Sequence, residues 1–152
     1  MGGRVVQPDE GGEGMKALLM AACLAGLSVT ATAPMYSEND FYVLSHIISA
    51  EAGNCSEDMM LSVGSVVLNR VSDDRFPDTI EEVVFQPGQY SPTWNGTYYN
   101  EPTEGAKQAA EQLLTEGSVI DASVVWQAEF PQGNGVYDTI TSPWGTVMYF
   151  CY

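Results

Sequence analysis

Histidine is almost missing from this chain: His46 is the only one in 152 residues. A zinc peptidase or zinc amidase draws several ligands from histidine, and one cannot supply them. A Ser-His-Asp triad would have to use His46, and no Gly-x-Ser-x-Gly elbow supports it. His46 is read as a structural or surface residue. Basic residues are also scarce, with five Lys and Arg against 20 Asp and Glu, for a net charge of −15. No cationic face for a nucleic-acid backbone can be built from so few charges. An anionic membrane surface would repel the chain for the same reason, and the acidity is read as keeping an exposed protein soluble. Phosphate-binding loops are missing too. The segments Gly88-Gln89-Tyr90-Ser91 and Gly133-Asn134-Gly135 lack the strand–loop–helix context and the lysine. Asp73-Asp74 and Glu81-Glu82 lack calcium-loop spacing and read as solvated faces. No metal and no cofactor is expected.

No apolar run is long enough to span a bilayer. The longest, Ala17 to Leu27, follows Met15-Lys16 and precedes Ala31-Thr32-Ala33, a small-x-small peptidase site. Residues 1–33 are read as an N-terminal extension plus signal peptide, cleaved after Ala33. Residues 1–14 are Gly-rich and acidic, unlike the start of a signal, which fits translation from Met15. A buried N-terminal helix and a lipoprotein anchor at Cys23 are the alternatives; Met20 stands where a lipobox prefers Leu. The mature chain, 34–152, is expected to be secreted, with no stable membrane insertion. It keeps two cysteines, Cys55 and Cys151. One pair in an exported domain suggests a disulfide; two separate buried thiols are the alternative.

Apolar content of 45% is enough for one packed domain. Ser37 followed by Asp40 is a capping-box variant that opens a helix over 38–52, with Gly53 as its stop. Ser56 opens a second helix through Val71, Asp78 a short third through Val84, and Thr103 a fourth from Glu104 to Glu116. Residues 86–100 form a long loop rich in aromatic and amide side chains, the composition of a binding loop. Ser123–Gln127 and Gly145–Tyr152 read as two strands with turns between them. The expected fold is α+β, mainly helical, with a small C-terminal strand pair.

Glu51 breaks the helical pattern. Phe41, Leu44, Ile47 and Ile48 recur at spacings of three and four, and Glu51 continues the same face. A carboxyl group on a core-facing stripe needs a partner or holds its proton more tightly than in water. A protonated carboxyl near neutral pH is what glycosidic-bond cleavage requires of a general acid. A buried carboxylate held by Arg70 or by backbone N–H groups is the structural alternative. Sugar rings stack on aromatic faces and hydrogen-bond to amides, so the 86–100 loop, Trp94 included, suits a carbohydrate polymer.

Four blocks in order then carry a resemblance: Ser49-Ala50-Glu51-Ala52-Gly53; Val66-Val67-Leu68-Asn69-Arg70-Val71; Phe76-Pro77-Asp78-Thr79-Ile80; and Val83-Val84-Phe85-Gln86-Pro87-Gly88-Gln89-Tyr90-Ser91. Over roughly residues 38 to 150 the chain resembles the spore cortex-lytic, SleB-type cell wall hydrolases. The resemblance implies a lysozyme-like or lytic-transglycosylase-like core that cleaves peptidoglycan between N-acetylmuramic acid and N-acetylglucosamine. It implies Glu51 as the catalytic acid and Gln89, Tyr90 and Ser91 as groove residues. Two segments depart from the family pattern. Gly145–Phe150 has no histidine, and Val125–Pro131 replaces an aromatic strand ending in Asn-Pro. A lytic transglycosylase needs no second catalytic carboxylate; a hydrolase would recruit Asp73, Asp74 or Glu101. The partner expected is the glycan strand, met by a monomer. A non-catalytic peptidoglycan-binding module is the alternative function.

Overall fold

The computed structural model describes residues 35–152, so the signal-peptide reading and Cys23 lie outside the described residues. Among the described residues five helices come first: α1 Glu38–Ala52, α2 Glu57–Val71, α3 Ile80–Val84, α4 Pro92–Asn95 and α5 Glu104–Glu116, with a 3₁₀ turn at Thr97–Tyr99. Three strands follow: β1 Trp126–Ala128, β2 Val136–Thr141 and β3 Val147–Cys151.

Local chemistry sets the helix ends. Ser37 Oγ accepts the Asp40 N–H at 3.0 Å, and the Asp40 carboxylate accepts the Ser37 N–H at 3.1 Å, completing the capping box. Gly53 closes α1 in ordinary right-handed geometry, with its N–H on Ser49 O. Glycine is required there by crowding: a Cβ would stand 2.9 Å from Ser49 Oγ. Ser56 and Thr103 cap α2 and α5 as expected. Thr79, not Asp78, caps α3, so that helix starts later than the sequence suggested. Proline at the first position and Gly96 at φ +91° delimit α4, a single turn inside the expected loop.

Helices α1, α2 and α5 pack on one another, with α3 against α1 and α2. Their buried faces meet in one cluster that includes Leu44, Ile47, Ile48, Val63, Val67, Val83, Ala110 and Leu113. Gly64 permits the close crossing, because a Cβ there would run into Leu113 and come 2.6 Å from Ile48 Cδ1.

The sheet corrects the expected strand pair. It has three antiparallel strands in the order β1-β3-β2, with Gln127 opposite Phe150 and Ile140 opposite Met148. β2 has no apolar alternation to mark it, because it is an exposed edge carrying Asp138 and two threonines, with a bulge between Val136 and Asp138.

Two side chains of α2 fasten the sheet to the helices. Asn69 Nδ2 donates to Asp121 O at 2.8 Å and to Val124 O at 2.9 Å. Arg70 Nε donates to Val125 O at 2.7 Å, and its Nη1 donates to Gln89 Oε1 at 3.0 Å. The Arg70 guanidinium is 3% exposed and stands over the rings of Phe76, Tyr90 and Trp126 at 5.1–5.5 Å.

The expected disulfide is absent: Cys55 and Cys151 are free thiols. Cys151 is buried at the end of β3, where its Sγ accepts the Gln132 N–H at 3.5 Å. Cys55 lies in the turn after α1, and burial pushes its thiol up, away from the reactive thiolate. Among the described residues no helix is long and apolar enough to cross a membrane.

Candidate functional site

Glu51 sits in the last turn of α1, a position pinned by α5. The Thr103 N–H donates to Ser49 Oγ at 3.0 Å, and Thr103 Oγ1 donates to Gly53 O at 3.2 Å. The side chain projects into a cavity of about 70 Å³ lined by Cys55, Met59, Glu129, Ser142, Trp144, Thr146 and Met148. That volume is far below the ~300 Å³ of a pocket that swallows a whole small ligand. It suits a reacting linkage whose rings lie outside.

Burial raises the Glu51 pKa above its ordinary value, and the polar side chain of Gln127 partly offsets this. No basic residue stands in the last turn of α1 to stabilise its charge. The structural alternative, a carboxylate clamped by Arg70, is not what the molecule contains. The Arg70 hydrogen bonds go to Val125 and Gln89. Glu51 is therefore a carboxyl group that resists ionisation at the edge of a cavity, the state a proton donor needs.

The proposed groove residues separate. Tyr90 is buried, its phenol is pushed up to about 12 by burial with a smaller contribution from the charge of Glu51, and its hydroxyl has no partner. Gln89 is held by Arg70. Ser91 is exposed and starts α4 without capping it. Trp94 is 61% exposed. None of these four lines the Glu51 cavity.

The alternative carboxylates stand elsewhere. Asp73 is taken up by Arg75, whose hydrogen bonds hold its carboxyl down at about 2. Asp74 is exposed in the same turn. Glu101 pairs with Lys107 at 2.7 Å. It lines a separate cleft of about 530 Å³ with Tyr36, Phe41, Tyr42 and His46. That cleft is the roomier one. Its Glu101 is tied to Lys107, and His46 Nδ1 is spent on Tyr98 O at 2.8 Å. Volume favours the cleft and chemistry favours the cavity; proton transfer depends on chemistry.

Residues that the sequence did not reveal complete the site. Glu129 follows β1, Ser142 and Trp144 form the β2–β3 turn, and Thr146 and Met148 belong to that turn and β3. The turn is built by Ser142, whose N–H donates to Thr146 O at 2.8 Å and whose Oγ accepts the Thr146 N–H at 2.9 Å. It leaves Trp144 64% exposed at the mouth. The only sequence signal was a tryptophan in a Pro-Trp-Gly turn.

Comparison with known proteins fits this geometry. Spore cortex-lytic enzymes of Oceanobacillus iheyensis and Bacillus cereus are 32% and 33% identical over 113 residues. Those matches cover 72% of this chain and 37% and 39% of the relatives. The chain thus spans well under half the length of the curated relatives it matches.

Two solved structures share the fold. The catalytic domain of the germination-specific lytic transglycosylase SleB from Bacillus anthracis superposes with a TM-score of 0.61 at 21% identity, covering 78% of this chain and 99% of that one. The catalytic domain of the Bacillus cereus SleB protein gives 0.58 at 24% identity, covering 76% and 91%. The expected lytic-transglycosylase-like core is borne out. Residues 55–131, just over half of the chain, match the Cell Wall Hydrolase family model, with Glu51 just ahead of the matched stretch. By that match the chain belongs to the cell wall hydrolase family.

Proposed function

We propose that this chain cleaves the glycan strand of peptidoglycan as a lytic transglycosylase, with Glu51 as its acid and base. The observation that carries the reading is the Glu51 carboxyl, set at the edge of a cavity where burial raises its pKa. Glu51 gives its proton to the oxygen that links N-acetylmuramic acid to N-acetylglucosamine. The C1–O bond breaks, and positive charge spreads over C1 and the ring oxygen. The Glu51 carboxylate then takes the proton of the muramic C6 hydroxyl, and O6 bonds to C1. The product is a 1,6-anhydro sugar, Glu51 regains its proton, and no water is consumed.

Trp144 at the mouth and Trp94 on α4 offer exposed faces for sugar rings. Tyr90 and Gln89 act from behind, as the packed support of the wall, and Ser91 offers its hydroxyl from the loop. The names of the relatives, spore cortex-lytic enzymes, support a wall or cortex substrate met outside the cell membrane. Glu129 in the same cavity favours a second reading, hydrolysis with a second carboxylate directing water.

Purified sacculi test both. Glu51→Gln is expected to lose about 10²–10⁴-fold in rate, and wild-type products are expected to carry anhydro ends by mass spectrometry. Reducing ends, together with a dead Glu129→Gln, establish hydrolysis instead. Full turnover by Glu51→Gln refutes the acid role, and binding of sacculi without cleavage by the wild type refutes catalysis.

A further inference from the structure

The cleft of about 530 Å³ between α1 and α5 takes no part in the reaction at Glu51. Tyr42 in its wall precedes Glu51 by about two and a half helical turns, so it stands about 13 Å away along α1 and on the opposite face. Aromatic rings form the walls. Tyr36 stacks on Phe41 with centroids 6.4 Å apart, and Tyr42 lies against the His46 imidazole at 4.0 Å. Charge at the rim is unbalanced. Glu38, Glu101 and Glu111 line it against a single cation, Lys107, which Glu101 and Glu104 already hold at 2.7 and 3.0 Å. Among the described residues Glu38 and Glu111 have no cationic partner. His46, also in the lining, is only 7% exposed. A carbonyl oxygen only accepts, so Nδ1, which faces Tyr98 O at 2.8 Å, carries the ring hydrogen. The neutral ring then presents a lone pair at Nε2, the edge left for the cleft, and no donor among the described residues reaches it. A buried acceptor left open in a cleft calls for a donor from outside.

We propose that this cleft binds a primary ammonium group of the kind a diamino acid carries in a peptide, and that on the wall it holds an amine-bearing peptide stem while Glu51 works on the other side of α1. The ammonium site stands on the cleft alone; its use on the wall rests on the function proposed above. Each part of the ion meets a matching group. One N–H is donated to His46 Nε2. The positive charge lies against the faces of Tyr42 and Phe41, where the ring quadrupole attracts it, and beside the rim carboxylates of Glu38 and Glu111, which lack a counterion. The alkyl stem covers apolar ring surface. A quaternary ammonium has no hydrogen for Nε2, and a carboxylate or phosphate would be repelled by the glutamates. Because the cleft and the Glu51 cavity face away from each other, the stem held is not the one beside the linkage being cut. Its capture keeps the protein on the polymer between cuts.

The probe is Nα-acetyl-lysine amide, with its ε-acetylated form as the uncharged control, titrated into the full chain by NMR. The charged probe is expected to move the His46 and Tyr42 signals and to bind about three- to thirtyfold more tightly than the control. Glu38→Gln combined with Glu111→Gln, two exposed substitutions, is expected to erase most of that preference. His46→Leu is expected to weaken binding of the charged probe, and the Glu38→Gln, Glu111→Gln pair carries the test if His46→Leu does not fold. No binding of either probe, equal binding of both, or a preference untouched by these variants overturns the site. Pelleting of Glu51→Gln with sacculi then reads the natural ligand. Acetylating the amines of the sacculi is expected to lower retention, and to do so less when Glu38→Gln and Glu111→Gln are added. Retention that ignores acetylation overturns the wall assignment. A failed titration beside an inactive Glu51→Gln sinks this inference alone, whereas an active Glu51→Gln removes the acid role and leaves the ammonium site standing.

Discussion

Replacing Asn69 tests what holds the sheet, and with it one wall of the site, to the helices. Asn69 is 3% exposed and gives both amide hydrogens to backbone carbonyls, those of Asp121 and Val124. Asn69→Ala strips both. The Val124 carbonyl is buried and loses its donor at about 1–3 kcal/mol, and the half-buried Asp121 carbonyl adds about 0.5–1.5 kcal/mol. The small void left behind is partly offset by the side-chain entropy no longer lost. The net expectation is about 2–4 kcal/mol of lost stability, or roughly 10 °C in melting temperature for a domain of this size. Asn69→Asp is the sharper variant. An ionised carboxylate there would face two carbonyl oxygens, so the folded state must keep it protonated. Its folded pKa therefore lies above its unfolded value. The sign follows: the deficit is smallest below the unfolded aspartate range of about 4 and grows as pH rises toward the folded value. Urea unfolding followed by circular dichroism, at pH 4 and pH 7, reads both effects. An Asn69→Ala midpoint and slope equal to wild type would refute the fastening role. An Asn69→Asp deficit independent of pH would refute the account of which groups it meets.

Two further outcomes follow from groups already described. Because burial raises the Glu51 pKa in the folded state, wild-type stability should decline as pH climbs above the ordinary glutamate range and level off beyond the raised value. Glu51→Gln should lack that decline and be the more stable protein at neutral pH. Parallel pH–stability curves for the two proteins contradict it. Since Cys55 and Cys151 are free, dithiothreitol should leave the melting temperature of the folded protein unchanged, and a clear drop on reduction would restore the disulfide.

The helices were legible because their signals are local. Ser37 with Asp40, Ser56 and Thr103 mark starts by hydrogen bonds made within one turn, and Leu44, Ile47 and Ile48 mark the buried face by spacing alone. Glu51 stood out for the same reason, as an acid on that face. β2 was not legible because an exposed edge strand needs no apolar alternation. The cavity wall was harder still. Glu129, Trp144 and Met148 reach Glu51 only when the sheet folds back on the helices, and no local pattern encodes that meeting. Arg70 looked like a partner for Glu51 by charge, yet the aromatic rings and carbonyls around it suffice, and the acid is left without a counterion. The cysteine pair misled because two residues carry no spacing signature.

The cavity joins α1 to the β2–β3 hairpin, far apart in the chain. A chain clipped ahead of β3 would therefore keep the Glu51 carboxyl and lose Met148 from the wall that faces it.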